Sequence, residues 1–560
     1  MSLGDPSNPE RDRNTVREII MKYKNHPSIL AIKKSFNPEK MFDIPKATAK
    51  DINRIIKSLN TKKATGPDHI SAKFVKMAAN IIDYHLADTF NEDLSIDNYS
   101  ENAKTATVRP LYKKDDRTKI KNYRPVSVLN VFSKVYERFI HNSLKTFVES
   151  FLSDFVCAYR KSYSSNHVLI RLIENWKKQL DQNKFVGAVL MDLSKAFDCI
   201  PHDLLIAKMH AYGFSHNSLT FFYSYLKRRK QNVKIGNTCS AFQILLSGVP
   251  QGSILGPLLF NIFINDLYLW ITKSELYNFA DNNTINSAQK TLEDLIQNLE
   301  AESKVAIDWF KNNEMIVSPE KFQAIIVTKN NKIENSYSID LGENKVLSEK
   351  SVTLLGIQID NKISFEDHIS SLCKKASSQL NAIGRLKKYM GFKQREILIN
   401  SFVYANFNYC PLVWHFCPQK SLRKIEKIQE RALRILYNDF ENDYESLLKK
   451  SGKPSMEVKR FRVLALEIFK TLNNLNPQFM KEIFEKTKWL THKPANIKVQ
   501  SYNTVKYGQK SLATLGPHIW NSLPEQVKLE NDFSKFKQFI GQWFGPTCRC
   551  NLCCFKEYSK

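Results

Sequence analysis

FVGAVLMDL, residues 185 to 193, is the stretch on which the fold turns. It is a short apolar run, the mark of a strand buried on both faces. Asp192 stands at its end, where a carboxylate is costly unless it is paired or binds a metal. Working outward, a helical stretch follows from Leu204 to Phe222. Further on, LYNFADNNTIN (276 to 286) reads as a hairpin whose turn is Asp281-Asn282-Asn283. If these strands are neighbours, Asp192 and Asp281 meet at one edge of a sheet. Two such carboxylates plus phosphate oxygens make a Mg²⁺ site. Metals held there would activate an attacking 3′-hydroxyl and stabilise leaving pyrophosphate. Plainer readings stay open. Asp-Asn-Asn is good turn chemistry in its own right, and Asp192 and Asp198 suit the N-terminal side of the following helix.

Between the aspartates lies SGVPQGSILGP (247 to 257), a Gly/Pro loop running into an apolar helix. Its glycines would let the backbone approach a nucleotide closely. Upstream, residues 1 to 60 are a polar lead-in followed by helical pattern, and TKKATGPD (61 to 68) is a basic loop. Residues 104 to 135 mix β-type runs (ATVRPLY, PVSVLNVF) with the charged turn KKDDR. From Thr291 to Phe310 the apolar positions keep helical spacing, and residues 322 to 328 and 352 to 360 look like strands. Beyond residue 361 the pattern is mainly helical and rich in Lys and Arg. The expected class is α+β.

The totals fit a nucleic-acid partner. Among 560 residues, 83 are Lys or Arg and 56 Asp or Glu, for a formal net charge of +27. Such a surface attracts polyanions, nucleic acid first and an anionic membrane second. The 42% hydrophobic content excludes a disordered chain. No signal peptide is expected from the polar start. The most apolar stretch, Ser253 to Ile271, is interrupted by Asn261, Asn265 and Asp266 and reads as a core helix, not a membrane span. The Cys residues are mostly scattered singly, which suggests reduced thiols in an intracellular protein.

Several strings carry a resemblance. MDLSKAFD (191 to 198) looks like motif A of non-LTR (LINE-like) reverse transcriptases, SGVPQGSILGP resembles their motif B, and FADN (279 to 282) sits at motif C. TKKATGPDHI (61 to 70) and NYRPVSVLNVFSKVYER (122 to 138) resemble upstream finger motifs. NNEMIVSPEKFQAII (312 to 326) looks like motif D and LLGIQID (354 to 360) like motif E. YCPLVW (409 to 414) and IEKIQERALRIL (425 to 436) are similar to jockey-type elements. The motifs occur in family order.

The resemblance implies a right-hand polymerase: an N-terminal extension (1 to 60), fingers and the start of the palm (61 to 185), and a palm with an antiparallel sheet and motifs A to E (186 to 360). A basic helical thumb (361 to 440) and a mostly helical C-terminal region with a Cys-rich tail (441 to 560) would follow. The implied activity is RNA-directed DNA synthesis, with template RNA, primer DNA and dNTPs as partners and no membrane. Asp192 and Asp281 would bind two Mg²⁺ ions, for which Mn²⁺ can substitute. Phe197 would be the steric gate against a ribose 2′-hydroxyl, or else a core aromatic. Gln251 and Gly252 would lie against the template and incoming base. Lys113, Lys114 and Arg124 match finger positions that neutralise the triphosphate, although a solvated turn explains the lysines as well. Lys321 matches the motif D lysine, a general acid for pyrophosphate departure or a salt-bridged surface lysine.

In the thumb position, Leu422, Ile425, Ile428 and Ala432 hold an apolar stripe, while Arg423, Lys424, Lys427, Arg431 and Arg434 would track a phosphate backbone. Cys548, Cys550, Cys553 and Cys554 offer sulfurs for Zn²⁺, at a spacing that is not that of a zinc knuckle. Two departures stand out. Asn282 replaces the second Asp of motif C and brings an amide oxygen without charge. Fewer than about sixty residues precede the first finger motif, too few for the family's endonuclease. A catalytically impaired relic that binds RNA is therefore the second reading. An RNA-dependent RNA polymerase is the third, and Phe197 argues against it. The resemblance puts the chain in the nucleus or in a cytoplasmic ribonucleoprotein.

Overall fold

A computed structural model describes residues 9–193, 195–329, 336–484 and 496–545. In chain order its strands are β1 (Thr105–Tyr112), β2 (Tyr123–Leu129), β3 (Phe185–Asp192), β4 (Lys230–Ile235), β5 (Thr238–Cys239), β6 (Gln243–Ile244), β7 (Glu275–Phe279), β8 (Asn282–Gln289) and β9 (Gln323–Val327). Two short hairpins follow, β10 with β11 (Ser338–Asp340, Lys345–Leu347) and β12 with β13 (Ser351–Leu354, Ile357–Asp360). From Glu366 onward the described elements are helices. The chain is thus α+β. It divides into two compact units: Met1–Tyr159, Asp192–Thr272 and Val305–Ser318 form one, and Arg160–Met191, Lys273–Lys304 and Pro319–Lys560 the other.

The first unit is built on a sheet ordered β2-β1-β4-β5, with β6 also paired to β4. β1 and β2 are antiparallel (Ala106 opposite Leu129, Tyr112 opposite Tyr123), while β1 and β4 run parallel. β2 ends at Leu129, so the β-type run expected to 132 stops early. The Asn130 side chain donates to the Asn102 carbonyl at 2.9 Å, and the helix Val131–Glu149 starts at the next residue. That helix buries Ile140, Leu144 and Val148 completely, at the four-residue spacing that keeps one face inward.

The helical stretch expected from Leu204 to Phe222 is two helices, His202–Ala211 and His216–Leu226. Gly213 breaks it at φ +92, and the Ser215 hydroxyl accepts from the Ser218 amide to start the second helix. The core helix expected across Ser253 to Ile271 is regular only over Gly256–Ile264. The polar residues that interrupt it are all used. Asn261 donates to the Ala158 carbonyl at 2.8 Å and Asn265 to the Phe151 carbonyl at 3.1 Å. Asp266 accepts from Lys208 at 2.6 Å and from the Trp309 indole at 2.8 Å, and both members of this ion pair are fully buried.

The second unit carries the sheet β7-β8-β3-β9. β3 pairs antiparallel with β9, Val186 opposite Val327. A Cβ on Gly187 would lie 2.8 Å from Leu299, so the helix Leu292–Asn312 packs directly on this strand. Residues 352 to 360 form a hairpin rather than one strand, turning at Leu355-Gly356 with Gly356 at φ +81. At the C-terminal end, Phe469 stacks on Phe536 at 4.2 Å. Among the described residues no helix is long and apolar enough to cross a membrane.

Candidate active site

Asp192 is the last residue of β3, and it is half-buried. The hairpin that carries Asp281 turns one position earlier than its sequence suggests. Phe279 pairs with Asn282, so Ala280 and Asp281 alone make the turn, with Ala280 at φ +57. Asn282 and Asn283 already belong to β8. The cause is the buried Asn278, whose amide donates to the Ala280 carbonyl at 2.9 Å and to the Asn283 side-chain oxygen at 2.8 Å. The Asn282 amide donates to the Asp281 carboxylate at 3.3 Å, a hydrogen bond where a second aspartate would bring repulsion. β8 is the hydrogen-bonded neighbour of β3. The strand that ends in Asp192 therefore lies beside the strand that begins directly after Asp281.

Two half-buried carboxylates suit a hard cation, which takes oxygen ligands. Among the described residues no group of three or more His, Cys, Asp or Glu side chains is placed to hold a metal ion.

The first unit contains a stitched glycine loop. The Ser247 hydroxyl donates to the Asp198 carbonyl at 2.9 Å, the Gly248 amide to Ile200 at 2.8 Å and the Val249 amide to Phe197 at 2.8 Å. The Gln251 side-chain amide donates to both Asp198 carboxylate oxygens at 3.1 Å. On the other side, the Ser127 amide of β2 donates to the Gln251 carbonyl at 2.7 Å. Two glycines permit this closeness. Gly248 (φ +78) leaves no room for a Cβ, which would fall 2.6 Å from the Asp198 backbone. At Gly252 (φ +127) a Cβ would fall 2.5 Å from the Ser127 carbonyl oxygen. Beside this loop lies a cavity of about 360 Å³ lined by Ser127, Asp198, Gln231, Leu246 and Gln251 among others. Burial pushes the Asp198 carboxyl up, against the pull of Gln251 and Lys195. Burial pulls His202 down, leaving it neutral at pH 7 and able to donate to the Gly248 carbonyl at 2.7 Å.

Phe197 is half-buried, stacked on Phe260 at 4.8 Å and edge-on to Tyr159 at 5.9 Å. Lys113, Lys114 and Arg124 are exposed on the β1–β2 hairpin, where the Lys113 amide donates to the Asn122 carbonyl at 2.9 Å. Lys321 is exposed in the second unit, at the end of the short helix Pro319–Lys321. Also in that unit, the helix Gln419–Tyr437 buries Leu422, Ile425, Ile428 and Ala432. Arg423, Lys424, Lys427 and Arg431 are exposed, and Arg431 donates to Asn381. Arg434 differs from these, being half-buried and paired with Glu430 at 2.8 Å. Cys548, Cys550, Cys553 and Cys554 lie outside the described residues.

The roles of two residues of the first unit were not visible in the sequence. Asp198, which suited a helix-terminal charge, also holds Gln251. Glu137 is fully buried, accepts from the Ile254 amide at 2.6 Å and the Tyr225 hydroxyl at 3.0 Å, and so ties the helix Val131–Glu149 to the glycine loop. Neither carries a local signal, because their partners are 53 and 117 residues away.

Residues 112–359 match the family model described as reverse transcriptase (RNA-dependent DNA polymerase). The chain is 27% identical over 408 residues to the "Probable RNA-directed DNA polymerase from transposon BS" of Drosophila melanogaster, covering 69% of this chain and 44% of that protein. It is 23% identical over 402 residues to the "RNA-directed DNA polymerase from mobile element jockey" of the same organism, covering 69% and 43%. A third relative is the "Retrovirus-related Pol polyprotein from type-1 retrotransposable element R1" of Bradysia coprophila, 22% identical over 375 residues, covering 65% of this chain and 37% of that protein. The chain spans less than half the length of these curated relatives. The matched segment, from the end of β1 into β13, is a reverse transcriptase domain. Its curated relatives include RNA-directed DNA polymerases of the jockey, BS and X elements of Drosophila melanogaster.

Proposed function

We propose that this chain is an RNA-directed DNA polymerase of a non-LTR retrotransposon, extending a primer 3′-hydroxyl with dNTPs along an RNA template. The observation that carries this reading is the adjacency of β3 and β8, the strands that end at Asp192 and begin after Asp281. In this reading residues 61 to 185 are fingers and the start of the palm, 186 to 360 palm, 361 to 440 thumb and 441 to 560 a C-terminal region. Asp192 and Asp281 would hold Mg²⁺, or Mn²⁺ in its place, with Asn282 adding only a neutral oxygen. A metal held there would supply Lewis-acid stabilisation for the attacking 3′-hydroxyl and the departing pyrophosphate.

The remaining work falls to the chain's own side chains. Gln251, fixed by Asp198, and the bare backbone at Gly252 support the template and the incoming base. Phe197 lies under the sugar and excludes a 2′-hydroxyl. Lys113, Lys114 and Arg124 offset the triphosphate charge, and Lys321 gives a proton to the leaving pyrophosphate. Arg423, Lys424, Lys427 and Arg431 grip the duplex backbone, with Arg434 lending less because Glu430 already engages it. The chain would act in the nucleus or in a cytoplasmic ribonucleoprotein.

Asn282 favours a second reading, a relic that binds RNA without efficient synthesis. Incorporation of dNTPs on poly(rA)/oligo(dT) with Mg²⁺ or Mn²⁺ separates the two. Synthesis by the native chain that Asp192→Ala abolishes supports the enzyme. Synthesis only after Asn282→Asp establishes the relic. Synthesis that survives Asp192→Ala overturns the assignment of that carboxylate.

A further inference from the structure

The second unit holds a cavity that none of the polymerase roles uses. It measures about 710 Å³ and lies among the start of the helix Ser165–Asp181, residues 407 to 414 and the helix Met456–Leu472. That volume falls in the usual range for small-molecule sites. Its walls combine aromatic rings (Tyr163, Tyr409, Trp414, Phe533) with the cations Lys459, Arg460 and Lys470.

Arg460 is the telling member. It is only 3% exposed, yet no carboxylate closes an ion pair with it. Its Nε donates to His415 Nδ1 at 3.3 Å, and one terminal nitrogen, Nη1, has no acceptor. The nearby Glu426 is already engaged, accepting from the Met456 and Glu457 amides and from the Tyr444 hydroxyl. Glu426 and Glu457 lie near enough to act on Arg460 electrostatically, but neither closes an ion pair with it, so an anion in the cavity would relieve the cost of burying the guanidinium. Lys459 repeats the pattern. Its Nζ lies 4.3 Å above the Tyr404 ring and bonds only the Met456 sulfur, at 3.5 Å. The cavity's one carboxylate, Glu467, is taken by His167 at 3.2 Å and Lys470 at 3.0 Å. Two further lining groups keep a buried atom without a partner, Asn166 through Oδ1 and His167 through Nδ1.

Unsatisfied cations, flat rings and unpaired polar edges together fit one ligand chemistry. We propose that this cavity binds a nucleotide, its phosphate on Arg460 and Lys459 and its base against the exposed ring of Tyr409. Such a nucleotide has two sources, an unpaired residue of a single-stranded RNA or a free mononucleotide. The inference rests on the reading of the chain as a nucleic-acid enzyme, but its site is separate from the polymerase residues.

The test uses the full chain carrying Asp192→Ala, so that binding is read without synthesis. An oligo(rA) containing one 8-azidoadenosine is photocrosslinked and the modified peptide is mapped. Crosslinks to the peptide holding Tyr409, reduced at least about tenfold by Lys459→Gln, are the expected result. Lys459 is partly exposed, so its replacement leaves the fold in place where Arg460→Ala endangers it. Labelling by the oligonucleotide that excess AMP does not displace assigns the site to the strand. Labelling by 8-azido-AMP alone assigns it to free nucleotide. Crosslinks only elsewhere, or labelling unchanged in Lys459→Gln, overturn the proposal. Loss of dNTP incorporation in a separate assay of the chain without Asp192→Ala would fault the polymerase reading alone.

Discussion

Replacing Gly252 with alanine probes the glycine loop at its tightest point. The added Cβ would lie 2.5 Å from the Ser127 carbonyl oxygen, which is backbone of β2 and cannot swing aside. The residue would also be held at φ +127, a backbone region that costs a non-glycine residue about 1–3 kcal/mol. At about 1.4 kcal/mol per factor of ten, strain alone amounts to roughly 5- to 150-fold in the conformation that must be kept. The contact with Ser127 adds to this, so the loop should lift from β2 and take Gln251 with it. The expected loss in kcat/KM is therefore about 100-fold. The assay is steady-state dNTP incorporation, run in whichever background synthesises, native or Asn282→Asp. Gly236→Ala is the control. Gly236 sits between β4 and β5 at φ +59 with nothing within 4 Å of an added Cβ, so it tests strain without a clash. Its kinetics should match the parent's. A Gly252→Ala enzyme as fast as the Gly236→Ala control would refute the argument that backbone proximity to β2 sets the loop.

Two other outcomes are expected. Phe197→Ala removes the ring stacked on Phe260, and ribonucleotide incorporation relative to dNTP should rise by at least about tenfold, equivalent to about 1.4 kcal/mol; an unchanged ratio would return Phe197 to the role of a core aromatic. For Glu467, burial pushes the carboxyl up, but the His167 hydrogen bond and Lys470 outweigh it and hold it at about 2, below the ordinary 4.5. Its contribution to stability is then complete above about pH 4.5 and is lost as pH falls toward 2. Denaturant unfolding across that window should show the loss, and Glu467→Gln should flatten it; an identical acid slope in the variant would show that Glu467 does not supply it.

Much of the sheet β7-β8-β3-β9 could be read from sequence because β3 is buried on both faces, which leaves an unbroken apolar run ending in an acid. The hairpin was legible in position but not in register. Its turn is set by Asn278, which as a lone buried amide gives no sign of which carbonyl it will hold. The break at Gly213 was hidden because apolar spacing continues across it, and only the Ser215 cap marks the restart. The start of the helix at Val131 was obscured by β-branched residues that suit either state. The stitching of the glycine loop was least legible. Gln251 and Asp198 meet only through folding, and the cost of burying that carboxylate is visible only once its surroundings exist. The lysines at 113 and 114 gained no partner from the fold that distinguishes a triphosphate site from a solvated turn.

The most direct measurement of the central claim is Mn²⁺ binding, followed by electron paramagnetic resonance in the presence of dNTP. It compares the native chain, Asp192→Ala, Asp281→Ala and the double variant. If the two carboxylates clasp the same metal centre, either single change should remove the nucleotide-dependent signal and the second should add nothing. Full signal in either single variant, or losses that simply add, would contradict the shared centre.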